Sequence, residues 1–238
     1  MSHIQLPERL TLVDATTIVI GSMIGSGVFL KVSSMTKVLP SPAWLLAAWL
    51  LTGILTLCGS LTLAEMAARF PHTGGLYVYM KEGYGKLAGY LFGWSLLTVM
   101  ETGSIAAMAA GAAQMLVKDP SQRMFLGYAM IWSLTIVHCV SVRVGIGVLQ
   151  NLFTVAKGIG IMSVIVFGLM CPTASASNLE TVGTIPTGFA LFSALGAVMM
   201  KSLWAYDGWI NATFIAGELK DARRQLPKAL IGGSLLVM

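Results

Sequence analysis

Long apolar runs separated by short polar stretches dominate the pattern of hydrophobic positions along this chain. Most runs reach the roughly 20 residues that a helix needs to cross a bilayer. They are apolar on all sides rather than alternating or amphipathic, which is typical of membrane-spanning helices. The pattern predicts a single membrane domain over residues 1–238, with spans at 12–29, 43–68, 87–117, 124–142, 148–171 and 190–216 and a partial seventh from 229.

The seventh apolar run is cut short. The roughly ten residues that follow Pro227 are too few to cross a bilayer, so we expect the chain to end inside this element. This predicts either a truncated carrier or a partner chain that supplies a missing C-terminal half.

Composition supports a membrane setting and excludes several classes of function. The 238 residues are 56% hydrophobic and 11% charged, whereas a soluble domain carries roughly 25% charged residues. The net charge of +5 is spread over loops between apolar runs rather than clustered with aromatics, which argues against nucleic-acid binding. The cysteines lie within or at the end of apolar runs and imply no disulfide framework.

The distribution of basic residues predicts the orientation, because lysine and arginine accumulate in cytoplasmic loops. An N-terminus in the cytoplasm places the larger group of basic residues on the cytoplasmic side. That group is Arg9, Arg69, Lys81, Lys86, Arg143, Lys220, Arg223, Arg224 and Lys228, against Lys31, Lys37, Lys118 and Arg123 outside. We therefore expect a multi-pass protein of the cell membrane, inner or plasma, with a cytoplasmic N-terminus.

The first span contains the motif GSMIGSGVF over residues 21–29, which is rich in glycine and serine. Each interior glycine weakens a helix by roughly 1 kcal/mol relative to alanine. A break at this depth is tolerable only where the backbone is buried or lines a polar cavity. The exposed amides of such a break attract a carboxylate and its carbonyls attract an ammonium, as in an amino acid. A glycine face used only for helix packing remains an equal alternative.

The sixth span contains a carboxylate at a depth where it is costly. Asp207 lies deep in the apolar run and is followed by Gly208. An aspartate at the centre of a bilayer costs about 2.5 to 3.5 kcal/mol and should face a cavity or a partner. A buried ion pair with Lys201 or Lys157 is the alternative to a functional role. Interruptions in the first and sixth spans together are typical of transporters with inverted five-helix repeats.

Lys157 raises the same problem with the opposite charge. It lies about 13 Å into the fifth apolar run, which is too deep for its ammonium to reach the surface easily. It must therefore find carbonyl oxygens or a carboxylate, and an ion pair with Glu101 of the third span is the structural alternative. We find no metal-ligand cluster, phosphate-binding loop or nucleophile-base pair, so we expect no enzyme activity, no metal and no cofactor.

These segments resemble the amino acid-polyamine-organocation superfamily, and within it the L-amino acid transporter family of the bacterial serine/threonine exchanger type. The resemblance covers nearly the whole chain, in order. It is carried by GSMIGSGVF in the first span, AEMAARFPHTGGLYVYMKEGYG after the second, ETGSIAAMA in the third, SVRVGIGVLQNLFTVAK at the fifth, and SLWAYDGWINATFIAGELKDARRQLPKA in and after the sixth.

The resemblance implies an all-α fold of two inverted five-helix repeats, of which this chain holds the first part, with spans 1 and 6 discontinuous. It implies that amides matching Ser26 and Gly27 bind the substrate carboxylate, and that carbonyls matching Met23, Ile24 and Trp204 bind its amino group. The remaining substrate-binding positions are Gly25, Ala205, Asp207 and Gly208.

Further roles follow from the same resemblance. The aromatic side chain matching Trp204 is a gate over the site, and the lysine matching Lys157 replaces a sodium ion. Animal relatives with an acidic residue at the position of Asp207 accept cationic substrates. Animal relatives also hold a cysteine between the third and fourth spans for a glycoprotein heavy subunit, but residues 118–123 contain none, so we expect no such partner.

We therefore expect a sodium-independent exchanger of small neutral L-amino acids such as serine and threonine. A cationic amino acid transporter is the runner-up. A non-transporting membrane fragment is the alternative from another class, and the abrupt end at Met238 is the feature that favours it.

Overall fold

The computed structural model describes residues 9–140, 148–173, 175–180 and 183–238, and the side chains of all of these except Ser26 and Leu30. The predicted end of the fourth span at 142 lies outside the described residues. Six helical stretches in the described part are long and apolar enough to cross a membrane, which confirms the predicted all-α membrane fold. The helices are α1 (Leu12–Met23), α2 (Ser26–Thr36), α3 (Pro42–Arg69), α4 (Leu76–Tyr84), α5 (Lys86–Ser95), α6 (Glu101–Leu116), α7 (Pro120–Val140), α8 (Asn151–Met170), α9 (Phe189–Ala205) and α10 (Ala222–Val237).

Two spans are discontinuous, as the sequence predicts. The first consists of α1 and α2, and the sixth consists of α9 followed by a 3₁₀ helix at Trp209–Glu218. The third span is continuous but contains a π-helical turn at Leu96–Met100 between α5 and α6. α2 extends to Thr36, beyond the predicted end of the span at 29. The prediction stops there because polar residues interrupt the apolar run, although the helix continues through them.

The last helix begins earlier than the apolar run suggests. α10 starts at Ala222 and includes Pro227, whereas the sequence predicts a start at 229. The first turns of this helix are polar, so a criterion based on apolar residues misses them. Asp221 precedes the helix in a left-handed conformation, with φ of 44°.

The densely packed part of the molecule surrounds α1. An apolar cluster joins α1 to α3, α4, α10 and the 3₁₀ helix, and a second cluster joins α2, α3 and α9. Hydrogen bonds between buried hydroxyls link the same helices, from Thr52 of α3 to Ser202 of α9 at 2.9 Å and from Ser234 of α10 to Ser60 of α3 at 3.2 Å. This part holds both helix breaks in place.

The helices α6, α7 and α8 are much more exposed. α6 and α7 pack on each other and leave an apolar groove between them, lined by residues such as Met108, Ile131 and Leu134. α8 packs on α1. The third span is therefore tied to the packed part through α5, which packs on α4, and the fifth span through α8.

The polar segment between the second and third spans contributes α4 to the packed part. Tyr79 of α4 is buried, and this burial raises the pKa of its phenol to about 12. Gly75, just before α4, lies so close to the 3₁₀ helix that a Cβ atom there would be 2.1 Å from the Thr213 hydroxyl oxygen. This segment therefore forms a short helix seated against the end of the sixth span.

Candidate substrate site at two broken helices

The break in the first span redirects the peptide groups of residues 23–25. The Ile24 amide still donates to the Ile20 carbonyl at 2.8 Å, but the Gly25 amide donates to the Met23 carbonyl at 2.9 Å. In an uninterrupted helix the Gly25 amide would donate to Gly21, four residues earlier. Gly25 is extended, and α2 begins directly after it with no side-chain cap. The break therefore frees the Gly21 carbonyl at one end and the first amides of α2 at the other.

Lys157 occupies the position that the Gly25 amide gives up. Its ammonium donates to the Gly21 carbonyl at 2.9 Å. Glu101 forms no salt bridge within the part of the chain that the structure describes, so the alternative pairing is not found. A cation deep in the fifth span thus finds a peptide oxygen that the first span no longer uses.

Lys157 is the last member of a polar ladder between α8 and α1, formed by Asn151, Thr154 and Lys157. The Asn151 amide donates to the Asp14 carboxylate at 3.0 Å and accepts from the Thr17 hydroxyl. The Thr154 hydroxyl donates to the Thr17 carbonyl at 3.2 Å. Spacing by three residues places the three side chains on one face of α8. Asn151 and Thr154 are not among the residues predicted from the sequence, although their spacing before Lys157 is visible there.

The break in the sixth span is set by Gly208. α9 ends at Ala205, and Gly208 has φ of 99°, a conformation that residues with a Cβ atom rarely adopt. Tyr206 is buried at the break and contacts Trp49 of α3 edge to face, with 5.5 Å between ring centroids. The chain then continues as the 3₁₀ helix, so no further α-helical turn follows α9 to pair with its last carbonyls in the regular pattern.

The two breaks touch through their backbones. A Cβ atom on Gly208 would lie 2.7 Å from Cβ of Ser22, and one on Gly27 would lie 3.0 Å from Cα of Ala205. A side chain at Gly208 would push the spans apart, and one at Gly27 would be in tight contact with the backbone of Ala205. The start of α2 and the end of α9 therefore meet at one point.

Trp204 lies over this meeting point. Its Cδ1 atom would be 3.4 Å from a Cβ atom on Gly27, and 53% of the residue is exposed. The ammonium of Lys31 lies 5.4 Å from the centroid of the indole ring. The sequence predicts Lys31 in an external loop, but it lies in the second turn of α2.

Asp207 is exposed at the break and has no ion pair among the described residues. The two lysines considered as partners bind elsewhere, since Lys157 donates to Gly21 and Lys201 donates to the Ser34 carbonyl at 2.8 Å. The buried ion pair that was the alternative for Asp207 is therefore not formed in the described structure.

The arrangement offers complementary groups for a small zwitterion. The first amides of an uncapped helix attract negative charge, and the carbonyls at a helix end attract positive charge. α2 provides the former and α9 the latter, at adjacent backbones. No cluster of three or more histidine, cysteine, aspartate or glutamate side chains suited to a metal ion occurs in the described residues.

Comparison with known proteins gives consistent matches along nearly the whole chain. The family model for amino acid permeases matches residues 10–238. The chain is 34% identical to the serine/threonine exchanger SteT of Bacillus subtilis, over 98% of the chain and 52% of the relative. It is 31% identical to the human b(0,+)-type amino acid transporter 1, over 98% and 49%, and 28% identical to the human Asc-type amino acid transporter 1, over 96% and 45%. The chain thus spans about half the length of the curated relatives it matches.

Proposed function

The chain belongs to the amino acid permease family, and from this premise we propose that it takes part in the exchange of small neutral L-amino acids, such as serine and threonine, across the cell membrane. One observation carries this proposal: the breaks in the first and sixth spans meet, so that an uncapped helix start and a helix end lie side by side. Midplane sites of transporters are built from such half-helices. The serine/threonine exchanger among its relatives supports the choice of substrate.

The substrate carboxylate binds the amides of Ser26 and Gly27 at the start of α2. The substrate ammonium binds the carbonyls of Met23, Ile24 and Trp204. The lack of a side chain on Gly27 supports this assignment, because the close approach of Ala205 leaves little room for one.

The remaining site residues shape and close the pocket. Gly25 is the extended residue at the first break, Gly208 is the left-handed residue at the second, and Ala205 keeps the end of α9 close to α2. Asp207 faces the substrate side chain and sets selectivity, and the Trp204 indole is the gate. The exposure of Trp204 and Asp207 at the break supports both roles.

The exchange is sodium-independent because Lys157 supplies the positive charge at the break. Its bond to the Gly21 carbonyl supports this role, since a carbonyl freed by a helix break is also the type of ligand that binds sodium. The N-terminus lies in the cytoplasm, which the basic residues of the loops on that side support.

Reconstitution tests the proposal directly. The protein, expressed from its own gene and purified at its native length, is placed in liposomes loaded with unlabelled serine. We expect uptake of labelled serine that needs internal amino acid and is unchanged when choline replaces sodium. Gly208→Val is the inactive control, because its side chain would collide with Ser22 and separate the breaks. Failure of the unaltered protein to bind or exchange any amino acid would contradict the proposal.

A second candidate is the transport of cationic amino acids, favoured by Asp207, which is exposed at the break without an ion pair in the described residues. Competition between arginine and serine separates the two. If arginine competes better than serine, and Asp207→Asn abolishes this advantage, the cationic substrate is correct.

A further inference from the structure

Lys31 contacts the proposed gate from the neighbouring helix. Its ammonium lies 5.4 Å from the centroid of the Trp204 ring, within the range of about 6 Å for attraction between a cation and an aromatic face. Gly27 and Lys31 are one turn apart on α2 and so share a face. Trp204 therefore lies along α2, next to the empty position at Gly27 and under the ammonium of Lys31.

Lys31 differs in its partners from the other lysine at this helix pair. Lys201 of α9 donates to the Ser34 carbonyl in the last turn of α2, which is a favourable place for a cation. Lys31 is half-buried and has no ion pair among the described residues. Lys201 thus holds the two helices together, whereas the contact of Lys31 is with the indole.

We propose that Lys31 is a positioning residue whose ammonium holds the Trp204 ring against α2 and so sets the resting position of the gate. This inference rests on the proposed function, in which Trp204 closes over the substrate. The ring lies between the Lys31 ammonium and Gly27 of α2, and it must leave Lys31 before it can move away from α2. The strength of the contact with Lys31 therefore controls how often the gate opens. The same charge lies beside the site and disfavours the approach of a cationic substrate side chain.

Fluorescence quenching tests the position of the ring without any substrate. The signal of Trp204 is the difference between the protein and its Trp204→Phe variant, and acrylamide is the quencher. We expect Lys31→Gln to raise the quenching constant, because loss of one exposed contact increases the ratio of undocked to docked ring by up to about fivefold. Lys31→Arg should restore the original value, since arginine makes the same contact.

Lys37→Gln is the matched control. Lys37 is exposed and lies directly after α2, so its replacement removes the same charge without touching the ring. It should leave the quenching of Trp204 unchanged. Equal quenching in Lys31→Gln and the unaltered protein, an equal change in Lys37→Gln, or no rescue by Lys31→Arg would each overturn the inference.

Competition assays on the same variants test the effect on selectivity. We expect Lys31→Gln to raise the affinity for arginine relative to serine by about two- to fivefold, and Lys37→Gln to leave the ratio unchanged. An unchanged ratio in Lys31→Gln would overturn this part. If the unaltered protein binds no amino acid, the proposed function fails, while the quenching result still decides whether Lys31 holds the ring.

Discussion

α1 meets α8 on one side and α10 on another, and the two contacts are built differently. The contact with α8 is the polar ladder, in which side chains of α8 donate to or accept from α1. The contact with α10 is apolar and close, because a Cβ atom on Gly233 of α10 would lie 2.6 Å from Val19 of α1. Apolar surface alone gives helices little reason to associate in lipid, so hydrogen bonds and close packing must do so.

The polar contact involves the helix break directly. The ladder ends at the Gly21 carbonyl, which the break has freed, whereas Val19 and Gly233 lie where α1 is still regular. The polar contact can therefore respond to any change in the break, and the apolar contact can serve as a fixed support. Changes at the ladder should therefore affect binding, with or without a loss of stability, whereas changes at α10 should affect stability and leave binding intact.

Gly21→Val should have the largest effect, because it blocks the polar contact completely. A Cβ atom there would lie 2.1 Å from the Thr154 hydroxyl oxygen and 2.6 Å from the Gln150 side-chain nitrogen. We expect a loss of about 3 kcal/mol or more in stability, measured by thermal unfolding in detergent, and no detectable amino acid binding. Gly158→Ala on α8, which has open space around it, should be tolerated. A Gly21→Val protein as stable as the original would show that α8 does not pack here.

Lys157→Met should have the next largest effect and should act on binding more than on folding. It removes the ammonium from the Gly21 carbonyl and leaves that oxygen without its partner. Because a hydrogen bond to a charged group is worth about 1.5 to 3 kcal/mol, we expect serine affinity to fall by about ten- to a hundredfold. Affinity is measured with labelled serine in sodium and in choline buffers.

The control for this change is Lys118→Met, which removes an exposed lysine distant in sequence from the ladder. It should bind serine like the original protein. Unchanged serine affinity in Lys157→Met would separate the ladder from the site, and would leave the difference between the two contacts of α1 without functional meaning.

The breaks themselves were predictable from sequence, but their connections were not. Glycines at 21, 25, 27 and 208 interrupt apolar runs, and a glycine in a helix is locally visible. The partner of Lys157 was open, because Glu101, Asp207 and a carbonyl all satisfy a buried cation. The choice depends on which helices are adjacent, and an apolar run carries no information about its neighbours.

Lys31 shows a second reason why the contacts at the breaks could not be predicted from the sequence. The sequence predicts that the first span ends at Phe29, which places Lys31 outside the span. The helix continues to Thr36, and its last turns contact α9: Met35 packs in an apolar cluster with Val198, and the Ser34 carbonyl accepts from Lys201. Hydropathy measures how a residue partitions into lipid, and it does not report contacts of this kind between half-helices.

Gly233→Ala sharpens the comparison from the apolar side. The added methyl group would collide with Val19, and such overpacking costs about 1 to 3 kcal/mol. Gly232→Ala is the matched control, since the neighbouring position has open space and gains the same helix propensity. The thermal midpoint of Gly233→Ala should fall below that of Gly232→Ala, with serine affinity retained in both. Loss of affinity without loss of stability in Gly233→Ala would contradict the role of α10 as a fixed support.

Thr154→Val should have the smallest effect and measures one step of the ladder. The change keeps the shape of the side chain but removes the hydroxyl that donates to the Thr17 carbonyl at 3.2 Å. Interhelical hydrogen bonds in membranes average about 0.6 kcal/mol, so we expect a lower thermal midpoint and at most a threefold loss of serine affinity. Ser163→Ala, whose hydroxyl bonds only within α8, should change neither. Thr154 lies between Asn151 and Lys157 in the ladder. A larger loss of serine affinity than of stability would mean that the whole ladder acts on the break as one unit. A loss of stability alone would mean that only Lys157 couples the ladder to the break.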